Sequence, residues 1–196
     1  MNDRPDTRTR ILDAAQELIQ RRGVNGMSFK DISDIVGIRK PSIHHHFASK
    51  DDLVVALLQR YRQQFEDTLV GLTDQHKTVR EQLIAYMRLF EQTLQVGDQD
   101  QSCLCGMLAA EVLSLCPHAC DAVNGFLSDN VRFLSELLQD GREQGALQFV
   151  GEPADVAAMM FAALQGGLIV ARSQAQPQQM AIVTRQLLRS VSPPVA

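Results

Sequence analysis

The chain has 196 residues, 45% apolar and 21% charged, which is enough apolar material for a sizeable core and argues against bulk disorder. Its formal net charge of −4, taken alone, argues against a nucleic-acid partner; yet residues 1–50 hold nine basic and six acidic side chains, whereas the rest hold ten and seventeen. Four cysteines (Cys103, Cys105, Cys116 and Cys120) fall in one 18-residue window behind a charged, leaderless start, so a cytoplasmic chain with reduced thiols is expected instead of a secreted disulfide scaffold.

No stretch alternates with period two, while helical periodicity recurs between Gly, Pro and polar breaks. An all-α fold of about nine helices is expected. The first runs from about Thr7 to Arg22, with Ile11, Leu12, Ala14, Ala15, Leu18 and Ile19 as its stripe and Gly23 as terminator. A short helix starts after Ser28, with Asp31 in capping-box position, and ends at Gly37. The next starts near Lys40-Pro41, where proline suits a first turn because its missing N–H costs nothing. Ser49, with Asp52 three residues on, caps a long helix whose stripe includes Leu53, Leu57, Tyr61, Phe65 and Leu69. Two short helices joined at a glycine and followed by a capped long helix make a helix-turn-helix pattern. Later helices are expected at about 77–96, 103–115, 119–144, 153–174 and 178–190, with breaks at Gly97–Asp100, at Pro117, at Gly145 to Gly151 and at Gln176-Pro177.

A helix-turn-helix lays its second helix in the major groove, so that helix needs apolar residues inward and polar ones outward. Ile43 and Phe47 supply the first, and Lys40, Ser42, His44, His45 and His46 the second. Arg39, Lys40 and Pro41 open this helix, where cations and unpaired backbone N–H groups attract phosphate. Lys50 and Ser28, at the starts of neighbouring helices, are further phosphate candidates, and imidazole and hydroxyl groups can read base edges. The three histidines do not make a metal site, because adjacent helical residues diverge by about 100°. His44 or His46 packed against the first helix as a core histidine is the alternative role.

At this point the run from Arg8-Thr9-Arg10-Ile11-Leu12-Asp13-Ala14-Ala15 through Gly37-Ile38-Arg39-Lys40-Pro41-Ser42-Ile43-His44-His45-His46-Phe47-Ala48-Ser49-Lys50-Asp51-Asp52-Leu53 resembles the TetR (tetracycline-repressor-like) family of bacterial regulators over about a quarter of the chain. The resemblance implies a three-helix DNA-binding domain, a long linking fourth helix and an all-α ligand-binding and dimerisation domain, here expected over residues 5–65 and 66–191. Arg39 stands where the family often has a small polar residue, and His44 and His46 where it often has tyrosine, so no relative's operator can be borrowed.

From Val156 to Ala171 only Gln165 is polar, and a helix apolar on all sides must be buried on all sides. The run is shorter than the ~20 residues of a membrane span, so no membrane partner is expected. It is either the central helix of a monomeric bundle or, as the resemblance favours, pairs together with 178–190 in a four-helix homodimer interface involving Met160, Phe161, Leu164, Gly167, Leu168 and Leu187. A two-fold dimer suits a palindromic double-stranded operator. Phe65, Leu69, Tyr86, Met87, Phe90, Met107, Phe126, Phe133 and Leu137 are either plain core or the lining of a pocket for a lipophilic or weakly polar effector. The cysteines admit three readings: small apolar filler, a thiol switch with Cys103 (and Cys105) as the reactive pair, or a structural zinc site of unusual spacing. No Ser/His/Asp or Cys/His arrangement, phosphate loop or HExxH motif occurs, so no enzyme, cofactor or metal is expected. The expectation is therefore a dimeric, effector-responsive repressor, with a thiol-based redox or electrophile sensor as the alternative and a small helical enzyme as the competitor from another class.

Overall fold

Side-chain caps set several of the helix ends in the computed structural model, which describes residues 5–95 and 100–193. The expected break at Gly97–Asp100 lies, but for Asp100, outside these residues. α1 (Thr7–Arg22) starts where Asp6 accepts the Thr9 N–H at 2.7 Å, and α2 (Phe29–Val36) starts at the Ser28–Asp31 capping box. Gly37, at φ 72°, ends α2 in the left-handed region that favours glycine. α3 (Lys40–His46) and α4 (Lys50–Gln75) follow, the latter entered through Ser49, whose N–H and hydroxyl both donate to Asp52. α5 (Val79–Thr93) begins at a capping box of Thr78 and Glu81, later than the expected residue 77.

The helix expected over 103–115 is split in two. α6 covers Leu104–Ala110, and a single 3-10 turn covers Val112–Ser114. Glu111 between them has φ −112° and ψ 25°, outside the α-helical range, so the ladder stops there. α7 (Pro117–Glu143) begins at the proline, which was expected to be a break but is a natural first helical residue. α8 (Pro153–Ser173) and α9 (Gln178–Ser190) complete the chain. Among the described residues there are nine α-helices and no strand, as an all-α fold requires.

Two compact units result. One comprises the chain through Gln64 together with Leu104–Gly125; the other comprises Phe65–Cys103 and the chain from Phe126 on. In the first, α1 packs on α2 and on α6, and α2 packs on α3. Ile11, Ile32, Ile43 and Leu57 are fully buried, each contributing about 1.5–3 kcal/mol of hydrophobic stabilisation. In the second, α5, α8 and α9 pack on one another.

α8 differs from the sequence expectation in two ways. At 21 residues, with mean hydropathy 1.7 over its best window, it is long and apolar enough by length and composition to cross a membrane, so the shortness of the apolar run does not exclude that. Nor is it buried all round: Met160, Leu164 and Leu168 have no exposed surface, whereas Met159, Ile169 and Val170 on its other side are about half exposed.

Candidate nucleic-acid interface

The α2–α3 pair is built from local chemistry outward. Asp31 N–H donates to Ser28 Oγ at 3.3 Å, and Ser28 N–H donates to Asp31 Oδ2 at 3.0 Å, so both partners are committed to starting α2. The Ser28 hydroxyl also holds the exposed Asp31 carboxyl below its ordinary range. The last turn of α2 is closed from α1, where the Arg10 guanidinium donates to the Val36 carbonyl. Ile43 then anchors α3 with no exposed surface, and Phe47 lies beneath the Arg8 guanidinium at 5.2 Å.

This leaves one exposed face. Arg39, Lys40, Pro41, Ser42, His44, His45 and His46 are all solvent-exposed, and no side chain caps the first turn of α3. The three histidines are not equivalent. The His44 ring meets Phe29 of α2 edge-on at 4.9 Å, and its Nδ1 lies 3.3 Å from the Ala48 carbonyl; His45 and His46 meet each other edge-on at 5.5 Å. His44 is thus tied to α2, not to α1. Lys50 is tied down as well: its ammonium donates to the Met27 carbonyl at 2.7 Å, which links the start of α4 to the turn between α1 and α2. That turn carries a contact with no motif in the sequence. Its Val24 and Asn25 N–H groups donate to the Glu111 carboxylate, the second at 3.2 Å, and Asn25 Nδ2 donates to Ser114 Oγ at 3.0 Å.

In the second unit most of the proposed pocket residues form a packed aromatic cluster. Tyr86 lies 5.5 Å from both Phe90 and Phe133, Phe65 lies 5.0 Å from Phe126, and Phe90 lies 6.2 Å from Phe161. The Tyr86 hydroxyl donates to Asn130 Oδ1 at 2.7 Å and the Asn130 amide donates to the Phe126 carbonyl at 2.9 Å, which satisfies a buried polar pair; burial pushes the Tyr86 phenol well above its usual range. Met87 and Leu137 are buried too. Leu69 and Phe133 line an open recess of about 240 Å³ together with Glu66, Asp129, Arg132 and Glu136. Met107, on α6, belongs to the other unit.

Met160, Phe161, Leu164, Leu168 and Leu187 are buried within the chain, and a β-carbon on Gly167 would stand 3.0 Å from Met180 Sδ of α9. Met159, Ile169 and Val170 of α8 and Ile182 of α9 are, by contrast, about half exposed. No disulfide joins the four cysteines. Cys103 and Cys105 are buried, Cys116 and Cys120 half-buried, and Cys120 Sγ lies 3.5 Å from the Val112 carbonyl. Among the described residues no group of three His, Cys, Asp or Glu side chains is placed to hold a metal ion.

Comparison with known proteins agrees with this geometry. Residues 11–57 match the model for bacterial regulatory proteins of the tetR family, and residues 79–187 match that for the tetracyclin repressor-like C-terminal domain. The HTH-type transcriptional repressor NemR of Escherichia coli is 30% identical over 85% of this chain and 84% of its own length. A TetR-family regulator from Agrobacterium tumefaciens superposes with a TM-score of 0.91 at 33% identity, over 95% of this chain and 97% of that one. The reduced form of Escherichia coli NemR gives 0.85 at 25% identity, over 98% and 100%.

Proposed function

The chain belongs to the TetR family of DNA-binding transcriptional regulators, and on that premise we propose that it is a dimeric repressor whose two α3 helices read a palindromic operator and which a small molecule releases. The observation that carries this reading is the exposed face of α3. Arg39 and Lys40 stand beside an uncapped first turn, Ser42 and His45 follow, and Ile43 locks the helix from below. Phosphate contacts fall to Arg39 and Lys40, and base-edge contacts to Ser42, His45 and the fixed ring of His44. Lys50 supports the head through Met27.

Dimerisation through the Met159–Ile169–Val170–Ile182 strip would cover the apolar surface that one chain leaves in water and repeat α3 across a two-fold axis. Effector binding at the Leu69–Phe133 recess, whose rim carries both charge signs, favours an amphiphilic ligand over a purely lipophilic one. Release from DNA is then a population shift between two states, each favoured by one ligand.

A gel shift with the DNA flanking the gene tests the reading. Lys40→Ala should weaken binding to all DNA sequences about alike and lower the salt slope by about 1, whereas His45→Ala should relax sequence preference; retention of wild-type affinity by both would show that α3 is not the reader. Ile169→Glu should yield monomers by light scattering. A second reading is favoured by the similarity to NemR in its reduced form and by four cysteines outside any disulfide: thiol modification could do the effector's work. With Cys103 and Cys105 buried, Cys116 and Cys120 are the reachable thiols, and mild oxidant should release DNA from wild type but not from Cys116→Ser/Cys120→Ser.

A further inference from the structure

The Glu111 contact is absorbed by none of these roles. Its carboxylate takes two consecutive backbone N–H groups, those of Val24 and Asn25, at a turn that begins with Gly23 at φ 75°. A β-carbon on Gly23 would meet that carboxylate, and at φ 75° the position favours glycine. Ser114, three residues on, takes the Asn25 side chain at 3.0 Å. On its other flank the same turn is held by Lys50 through the Met27 carbonyl, one residue before the cap of α2. α2 in turn orients α3 through Phe29 and His44.

Glu111 is also where α6 stops. Its N–H bonds to the Leu108 carbonyl at 3.0 Å, and its own carbonyl receives the Ser114 N–H at 2.8 Å. The segment Leu104–Gly125 follows the second unit's Cys103 and precedes its Phe126 in the chain.

We infer that Glu111 is a positioning residue for operator binding: seated on the Val24 and Asn25 amides, it holds the α1–α2 turn in the shape that presents α3, and withdrawing it weakens DNA binding. Glu111 does not touch DNA. It makes the α6 segment part of the reading head, so that a change in α6 or in the Val112–Ser114 turn reaches α3 through two amide groups. The inference rests on the operator reading above, and its test is arranged to separate the two.

The test uses full-length wild type, Glu111→Ala, Glu111→Gln and, as a control for lost stability alone, Leu83→Ala in the buried face of α5. Amide hydrogen exchange of residues 23–27 and operator affinity by fluorescence anisotropy are measured on each. Glu111→Ala should exchange about tenfold faster at the turn and bind operator about tenfold more weakly, the scale set by losing a charge-assisted hydrogen bond to backbone. Glu111→Gln, which keeps a carbonyl acceptor without the charge, should fall between. Leu83→Ala should lower the melting temperature and leave both readouts unchanged. Equal operator affinity in Glu111→Ala and Leu83→Ala, or a turn that stays protected in Glu111→Ala, overturns the inference. If Glu111→Ala does not fold, Glu111→Gln decides by the same comparison. Should wild type bind no operator DNA, the operator reading fails, and the seating of Glu111 on the turn stands or falls on exchange alone.

Discussion

The head and the second unit differ in the contact that prevails between helices, although Gln82 also grips the Thr73 and His76 carbonyls in the second. In the head, short helices are fixed by side chains that grip backbone: Arg10 on the Val36 carbonyl, Lys50 on the Met27 carbonyl, Glu111 on the Val24 and Asn25 amides, and Ser28 and Asp31 on each other's N–H groups. In the second unit, α5, α7 and α8 meet through aromatic rings around the buried Tyr86–Asn130 pair. Backbone-directed hydrogen bonds fix position and direction together, which suits a surface that must match rigid DNA. Ring packing is less directional, which on the proposed function would let the second unit adjust to a ligand.

Substitutions can break this contrast at either end. The largest effect is expected from Ile43→Ala: a fully buried side chain lost from a seven-residue helix should cost about 2–5 kcal/mol by urea unfolding and abolish operator binding. Tyr86→Phe keeps the rings but leaves Asn130 Oδ1 without its donor, so about 1–3 kcal/mol should be lost from the second unit while operator affinity in the absence of ligand holds. An equal loss of DNA binding would show that the two units are not mechanically distinct. Ser28→Ala removes one cap and should cost about 1 kcal/mol, read as faster amide exchange across α2. The smallest effect is acid titration of the capping boxes. Asp31 and Glu81 are both depressed below their ordinary values of 3.8 and 4.5 by the Ser28 and Thr78 side chains. A depressed carboxyl stabilises fully above its unfolded value and loses that contribution as pH falls through its folded one. Melting curves of wild type and Asp31→Asn should therefore converge only as pH is taken below 3.8.

The sequence was most legible where structure is local. The Ser28–Asp31 box, the Gly37 stop and the Ser49–Asp52 cap are each written within a few residues, so α2, α3 and the start of α4 could be placed to within a residue. Thr78-Val79-Arg80-Glu81 carries the same signature, and reading it would have moved the start of α5 to Val79. Long-range partners left no such trace. Lys50 at a helix start resembles a phosphate ligand, and only the fold brings the Met27 carbonyl, 23 residues earlier, to its ammonium. Glu111 breaks an otherwise good helix with its side chain on a turn 86 and 87 residues away. In α8 the apolar residues surround the helix, so periodicity could not distinguish the face against α9 from the face left open; Gly167 against Met180 and Ile169 in water are placed by packing alone.

The grouping of Leu104–Gly125 with the head has a practical consequence for domain surgery. Cutting the chain after α4 would not release a self-sufficient DNA-binding fragment. It would uncover the side of α1 that packs on α6, where Leu104 and Leu108 are fully buried, and would leave two adjacent amides of the following turn without their acceptor. A graft that carries this head onto another regulator must bring α6 and the beginning of α7 along with it, so the transferable module is a discontinuous stretch of sequence.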